Sequence, residues 1–105
     1  MSMHTFAKKQ IQIICERPIL KRVQRHLAGN GVKGFTVLPA LSGLGSEGEW
    51  DRDGMVGDAG QMVMVLIVLD AADLDRVLTD IFEVVSPQMG VITISDVSVV
   101  RPDRF

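Results

Sequence analysis

The chain has no tyrosine, one cysteine, one tryptophan and two histidines in 105 residues. A single cysteine, Cys15, excludes an internal disulfide and fits a reducing compartment. His4 and His26 are far apart in sequence. They read as surface residues, one near the N-terminus and one on the polar side of a helix. No serine stands with a base and an orienting acid at a spacing that would build a nucleophile, so no enzyme is expected. Charge of one sign is scarce too. Eleven Lys and Arg oppose thirteen Asp and Glu, a net −2, which gives no electrostatic case for nucleic acid. The longest apolar run, Met62 to Leu69, is far shorter than the ~20 residues that span a bilayer. Met1 to Thr5 is short and polar with no apolar signal core behind it. A cytoplasmic protein is the expectation.

What is present is a core. Hydrophobic residues make up 47% of the chain, and its length suits one domain over 1–105. From Gln10 to Glu16 the pattern alternates, with Ile11, Ile13 and Cys15 on one face, which predicts a strand. Pro18 suits the first turn of a helix. Ile19, Leu20, Val23 and Leu27 share a helical face, Arg17 is a poor cap, and Gly29-Asn30-Gly31 stops the helix. Phe35 to Leu41 reads as a second strand, which Pro39 confines to a sheet edge or a bulge. Met62 to Leu69 is a third strand. Asp70 is expected to cap a second helix with Asp73 near its positive end. Leu74, Val77, Leu78, Ile81, Phe82 and Val85 form that helix's apolar stripe. Val91 to Val100 completes the set.

The order strand, helix, strand, strand, helix, strand predicts an α+β, ferredoxin-like βαββαβ fold with a four-stranded antiparallel sheet. Two helices cover only one face of such a sheet. The third strand nevertheless carries Val63, Val65, Ile67 and Leu69 on one face and Met62, Met64, Leu66 and Val68 on the other. A strand apolar on both faces predicts cover on both, and a second copy of the sheet is the simplest cover, so a homo-oligomer is expected.

Residues 42–60 form a connection far longer than a hairpin needs. They hold six glycines, the acids Glu47, Glu49, Asp51, Asp53 and Asp58 against Arg52 alone, and the only tryptophan, Trp50. A large indole in such a loop is either an anchor for a partner or packed back on its own subunit. Gly43-Leu44-Gly45-Ser46-Glu47-Gly48 spells G-x-G-x-x-G, but the text after it has no helical period. No helix N-terminus would then meet a pyrophosphate, and the dinucleotide reading is rejected. The glycines still allow backbone N–H groups to approach an anion. The loop's acids lack calcium-loop spacing and read as solvated, with no metal site expected. Cys15 reads as a core residue. Arg101 and Arg104 offer forked donors for phosphate or carboxylate, or belong to an ordinary charged tail.

Gly31-Val32-Lys33-Gly34-Phe35-Thr36-Val37 resembles the PII signal-transduction family, which has a G-x-x-G-hydrophobic-T-V run at the start of its second strand. Gly43-Leu44-Gly45 is similar to the G-x-G at the base of that family's long T-loop. The resemblance implies a homotrimer that binds adenine nucleotides between subunits and reports them to a partner protein through the 42–60 loop. Carried over by position, it implies that Gly34, Phe35, Thr36 and Val68 meet adenine and ribose. Gly43, Leu44, Gly45 and Ser46 would lie near the phosphates, and Gln88, Met89 and Gly90 would form the facing B-loop. Arg101 and Arg104 stand near the family's C-terminal phosphate-binding arginines.

Departures from the family pattern narrow this. Val91 stands where the family has a lysine that holds phosphate, and a glutamine near Glu47 that helps bind Mg-ATP and 2-oxoglutarate is replaced. Without tyrosine, the family's uridylylation or adenylylation switch has no acceptor. The pattern is closer to the PII-like proteins associated with carboxysomes and bicarbonate transport. That implies ADP or AMP as nucleotide, bicarbonate at Gly45, Ser46 and Glu47, no catalytic cofactor, and a bicarbonate transporter or carboxysome-related protein as partner, with Trp50 as a contact. The alternative is a trimeric divalent-metal-tolerance protein of the same fold, which would want exposed His, Cys or Met ligands. Another is a small hydrolase, which would want a clustered acid and base.

Overall fold

The structure is a computed structural model and describes residues 3–45, 48–51, 61–87 and 90–101. The elements run β1 (Phe6–Glu16), α1 (Leu20–Gly29), β2 (Thr36–Ala40), β3 (Ser42–Gly45), β4 (Gly48–Asp51), β5 (Met62–Leu69), α2 (Leu74–Val85) and β6 (Gly90–Val99). Single 3-10 turns, Arg17–Ile19 and Ala71–Asp73, lead into the two helices. The main sheet has the order β2-β5-β1-β6 with every neighbour antiparallel. This is the expected ferredoxin-like arrangement, and Pro39 lies on the edge strand β2, where its missing N–H costs nothing in the ladder. Among the described residues no helix is long and apolar enough to cross a membrane.

Four details depart from the expectation. β1 starts at Phe6 rather than Gln10, because Phe6 to Lys8 pair with Val99 to Val97 of β6 before β5 joins at Lys9. The 42–60 connection begins as a hairpin of its own, with β3 and β4 pairing Ser42↔Asp51 through Gly45↔Gly48. Gly48 sits at φ 103°, a conformation open to glycine at little cost. Asp70 makes no side-chain cap on the second helix. Its carboxylate instead accepts from the Lys8 ammonium, an ion pair across 62 residues of sequence. Phe82 is not core but 59% exposed, and Val84 is buried in its stead.

The core lies between the helices and one face of the sheet. Ile11, Ile13 and Cys15 of β1 and Val63, Val65, Ile67 and Leu69 of β5 meet Val23 and Leu27 of α1 and Val77, Ile81, Val84 and Val85 of α2. No polar or charged residue is buried with them among the described residues. α1 ends where Gly31 takes φ 78°, which turns the Gly31 N–H onto Ala28 O at 3.0 Å and the Val32 N–H onto Leu27 O at 3.0 Å. This is the left-handed stop that the Gly29-Asn30-Gly31 text predicts.

The helices are also joined by a polar clamp. His26 Nδ1 of α1 donates to Asp80 Oδ2 of α2 at 2.9 Å, and Asn30 Nδ2 donates to the same oxygen at 2.6 Å. An ionised carboxylate only accepts, so Nδ1 carries the proton in this pairing. Arg76 of α2 completes the contact by donating to the Asn30 carbonyl at 2.9 Å and to Asp73 Oδ1 at 3.1 Å. His26 is thus a structural tie rather than a bare surface residue. Its hydrogen bond, against some desolvation and with help from Asn30 and the His26 charge, holds the Asp80 carboxyl below the usual carboxylate range.

Two outcomes follow for stability. A carboxyl held low in the fold stabilises fully above its ordinary value of ~3.9 and loses that contribution as pH falls through the folded value. Asp80→Asn should therefore be less stable than the native protein at pH 7, with the gap closing below about pH 4. Denaturant midpoints at pH 7 and pH 3 measure this, and a gap independent of pH would contradict it. At Gly90, an added Cβ would lie 2.8 Å from Ile14 O and 2.9 Å from Val85 Cγ1. Gly90→Ala should cost about 1–3 kcal/mol, as overpacking does, and lower the same midpoint; an unchanged midpoint would show that β6 has slack there.

Candidate functional site

The register of the sheet fixes where each candidate residue stands. Thr36 faces Leu66 and Val37 faces Val65. Gly34 and Phe35 lead into Thr36 at the start of β2, and Val68, two residues beyond Leu66, faces Gln10, which in turn faces Ser95. Gly34, Phe35, Thr36 and Val68 therefore gather at one end of the sheet. Phe35 is 40% exposed, Thr36 is exposed and Val68 is half-buried. Arg101, exposed, follows β6 as it leaves this same end, where Val99 faces Phe6, though β6 and β2 are opposite edges.

The other candidates stand at the opposite end. Gly90 faces Cys15, Cys15 faces Val63, and Val63 faces Pro39, one residue before β2 ends. The chain then leaves through the exposed Leu41 into the β3–β4 hairpin, which carries Gly43, Leu44 and Gly45. Val68 is five strand steps beyond Val63, roughly 17 Å of extended chain. One subunit thus holds two groups of candidates at two ends of a sheet and does not bring them together. Ser46, Glu47, Gln88, Met89 and Arg104 lie outside the described residues.

Within the hairpin Gly43 faces Trp50 and Gly45 faces Gly48. Residues opposed in an antiparallel pair alternate between exchanging two backbone bonds and exchanging none. Part of the N–H supply that an anion site would draw on is therefore committed to the ladder. Val91, at the family's lysine place, faces Ile14 and is 54% exposed.

Two clefts border these groups. Beside Val68, a cleft of about 340 Å³ runs between the end of α1 and the start of α2, lined by Gly31, Val32, Lys33, Asp70 and Arg76 among others. Beside Gly90, an apolar groove of about 460 Å³ follows α2 and the outer strand β6, lined by Leu78, Phe82, Val85, Ile92 and Ile94. This groove is the reason Phe82 belongs to the helix's apolar stripe and yet faces out. Sequence reasoning missed the groove and the His26–Asp80–Asn30 clamp. The stripe of α2 gave a signal for the groove, whereas a contact between residues 54 apart gave none for the clamp.

Other chemistry is not assembled. Cys15 is fully buried, and burial, with Glu16 adding to it, pushes its thiol up to about 11, so it is neither nucleophile nor thiolate ligand at neutral pH. Among the described residues no three His, Cys, Asp or Glu are placed to hold a metal ion.

The fold is shared with solved structures along nearly its whole length. The PII-like protein CPII of Thiomonas intermedia K12, bound to ADP, AMP and bicarbonate, superposes with a TM-score of 0.78 at 25% identity, over 96% of this chain and 95% of that one. The same protein bound to ADP and bicarbonate superposes with a TM-score of 0.74 at 26% identity, over 96% of each chain. A PII-like signalling protein from Thermus thermophilus matches the fold with a TM-score of 0.80 at 24% identity, over 98% of this chain and 99% of that one. No curated protein matches at the level of sequence. The family model of the nitrogen regulatory protein P-II matches residues 8–104, and the chain belongs to that family.

Proposed function

We propose that this chain is a trimeric PII-like regulator, one domain over 1–105, that binds ADP or AMP together with bicarbonate in clefts between subunits. It acts by binding and not by catalysis. The 42–60 loop signals inorganic-carbon or energy status in the cytoplasm to a bicarbonate transporter or carboxysome-related protein, with Trp50 at that contact. The observation that carries this reading is the division of the candidates between the two ends of one sheet. A cleft that uses both groups needs one end from each of two subunits. The sheet face turned away from the helices supports the same reading, since Leu38, Met64, Leu66 and Ile14 lie on it without cover from the chain's own helices.

In this reading Gly34, Phe35, Thr36 and Val68 of one subunit hold base and ribose, with Arg101 and Arg104 toward the phosphates. Gly43, Leu44, Gly45 and Ser46, with Gln88, Met89 and Gly90, close the site from the next. Bicarbonate sits at Gly45, Ser46 and Glu47. The Thiomonas protein with ADP and bicarbonate, 26% identical, supports this pairing of ligands. A valine at position 91 leaves the cleft one phosphate cation short, which favours nucleotides with fewer phosphates than ATP.

Calorimetric titration of ADP with bicarbonate, against chloride at equal ionic strength, tests the reading. A phosphate that orders the base of the loop lowers the cost of ordering it for bicarbonate, so bicarbonate should tighten ADP, and by linkage ADP should tighten bicarbonate by the same factor. Arg101→Ala should weaken ADP about tenfold or more, a charged hydrogen bond being worth about 1.5–3 kcal/mol, and leave adenosine nearly unchanged. Equal ADP affinity in both anions would leave a plain nucleotide sensor. ATP tighter than ADP would contradict the role given to Val91, and a monomer by sedimentation at micromolar concentration would remove the shared cleft.

A further inference from the structure

Charge is distributed unevenly along this chain. Residues 17–46 hold five Lys and Arg and no Asp or Glu, while the remainder holds six Lys and Arg against thirteen Asp and Glu. α1 gathers three of the five. Its exposed positions are Lys21, Arg22, Arg25, Ala28 and Gly29, three cations followed by the two smallest residues. Among the described residues Lys21, Arg22 and Arg25 have no ion-pair partner.

This face works against its own helix. The first turn carries no acid and no side-chain cap, and Lys21 and Arg22 stand at the end where the helix dipole is positive. Lys21 and Arg25, one turn apart, repel each other. Gly29 is a weak helix former, and no contact among the described residues requires a glycine there rather than at Gly31, which makes the left-handed stop. The φ of Gly29 is not positive, and an added Cβ would meet nothing within 4 Å. Local rules broken without a gain inside the fold mark a surface kept for something outside it.

We propose that the exposed face of α1 docks an acidic segment of a partner protein. Carboxylates at helical spacing pair with Lys21, Arg22 and Arg25, and the partner's backbone closes on Ala28 and Gly29, where nothing larger than a methyl group stands in the way. The neighbouring helix sets the width of the partner. The groove between the helices is lined by Arg25 and Gly29 on one side and by Asp75, Asp80 and Glu83 on the other, where Arg76 is the one cation against three acids. A broad anionic sheet of lipid or a duplex nucleic acid would bring its charge against those acids, whereas a single acidic helix or strand laid along α1 avoids them. This surface shares no residue with the nucleotide cleft proposed above.

The test is fluorescence anisotropy with a labelled Ala-rich peptide of ~20 residues, long enough to be helical, bearing Glu at every fourth position. Vesicles containing phosphatidylserine and a duplex DNA are read in parallel. Wild type should bind the peptide more tightly than either, and progressively less as salt rises. Lys21→Glu with Arg22→Glu should weaken the peptide at least tenfold, keep ADP binding unchanged, and melt no lower than wild type because the first turn now suits the dipole. Gly29→Ala should raise the thermal midpoint, and Gly29→Leu should weaken the peptide. Peptide binding indifferent to the double substitution overturns the proposal, as does a double variant that melts lower. Tighter binding to vesicles or DNA, or salt-dependent self-association through the same residues, overturns the choice of partner.

Discussion

Two helices can shield one face of a four-stranded sheet, and this chain asks for more. β5 lies inside the sheet, with β2 on one side and β1 on the other. Its residues Val63, Val65, Ile67 and Leu69 are buried under α1 and α2, and Met64, Leu66 and Val68 of its other face are only half-buried. The neighbouring strands repeat the division. Ile11, Ile13 and Cys15 of β1 are fully buried, while Ile14 and Gln12 between them are not. Folding has thus used the apolar content of one face and left most of that of the other, all but Met62, without full cover. Leu38, 40% exposed, and Val91, 54% exposed, extend the uncovered face outward on both edge strands. Between Val91 and the far end of β6, Gln12 and Thr93 pair across β1 and β6 at 3.2 Å, so the face carries a polar patch there and is apolar over β5.

The same sheet keeps the two candidate groups apart. A strand is stiff and its register is fixed by which side chains are buried, because a slip of one residue would turn every core side chain outward. Val63 and Val68 can therefore not approach each other, and nor can the groups that ride with them. The exposed face and the separated groups are consequences of one geometry, and both are met when another copy lies against the sheet. In the function proposed above, a cleft that draws on both groups takes one from each of two copies, which is a physical reason for a small domain to act through shared clefts rather than an internal pocket.

Much of this is legible in the sequence because the relevant patterns are local. Alternation at Ile11, Ile13 and Cys15, the doubly apolar run at Met62–Leu69, the edge proline Pro39 and the Gly29-Asn30-Gly31 stop each set a local preference that the packing respects. The failures share the opposite character. Asp70 reads as a cap, but Lys8 on β1 claims its carboxylate once the sheet brings them together. His26 reads as a surface residue, but Asp80 lies opposite when the helices pack. The β3–β4 hairpin is hidden by its own composition, since glycine-rich text carries weak strand preference and the pairing is set by the turn at Gly48. Phe82 fits the stripe of α2 as well as Val84 does, because a stripe over 100° wide does not say which flank meets the core. The two ends of the sheet follow from register alone, which only the structure supplies.

Position 91 joins these threads. In the resemblance it is the place of a lysine that holds phosphate, and here the side chain is valine. Directly opposed residues on antiparallel strands share a face, so Val91 lies with Ile14 on the side away from the helices. A lysine there would place an ammonium at the margin of the uncovered face and keep it hydrated until a phosphate arrived. Valine does two things at once. It leaves the Gly90 end of the sheet without a cation at that place, and it lengthens the apolar margin of the uncovered face. The first lowers the attraction for a highly charged phosphate chain, and the second strengthens association, at roughly 25 cal/mol for each Å² of apolar surface removed from water. In the function proposed above, valine at position 91 thus favours subunit contact over capture of a long phosphate chain.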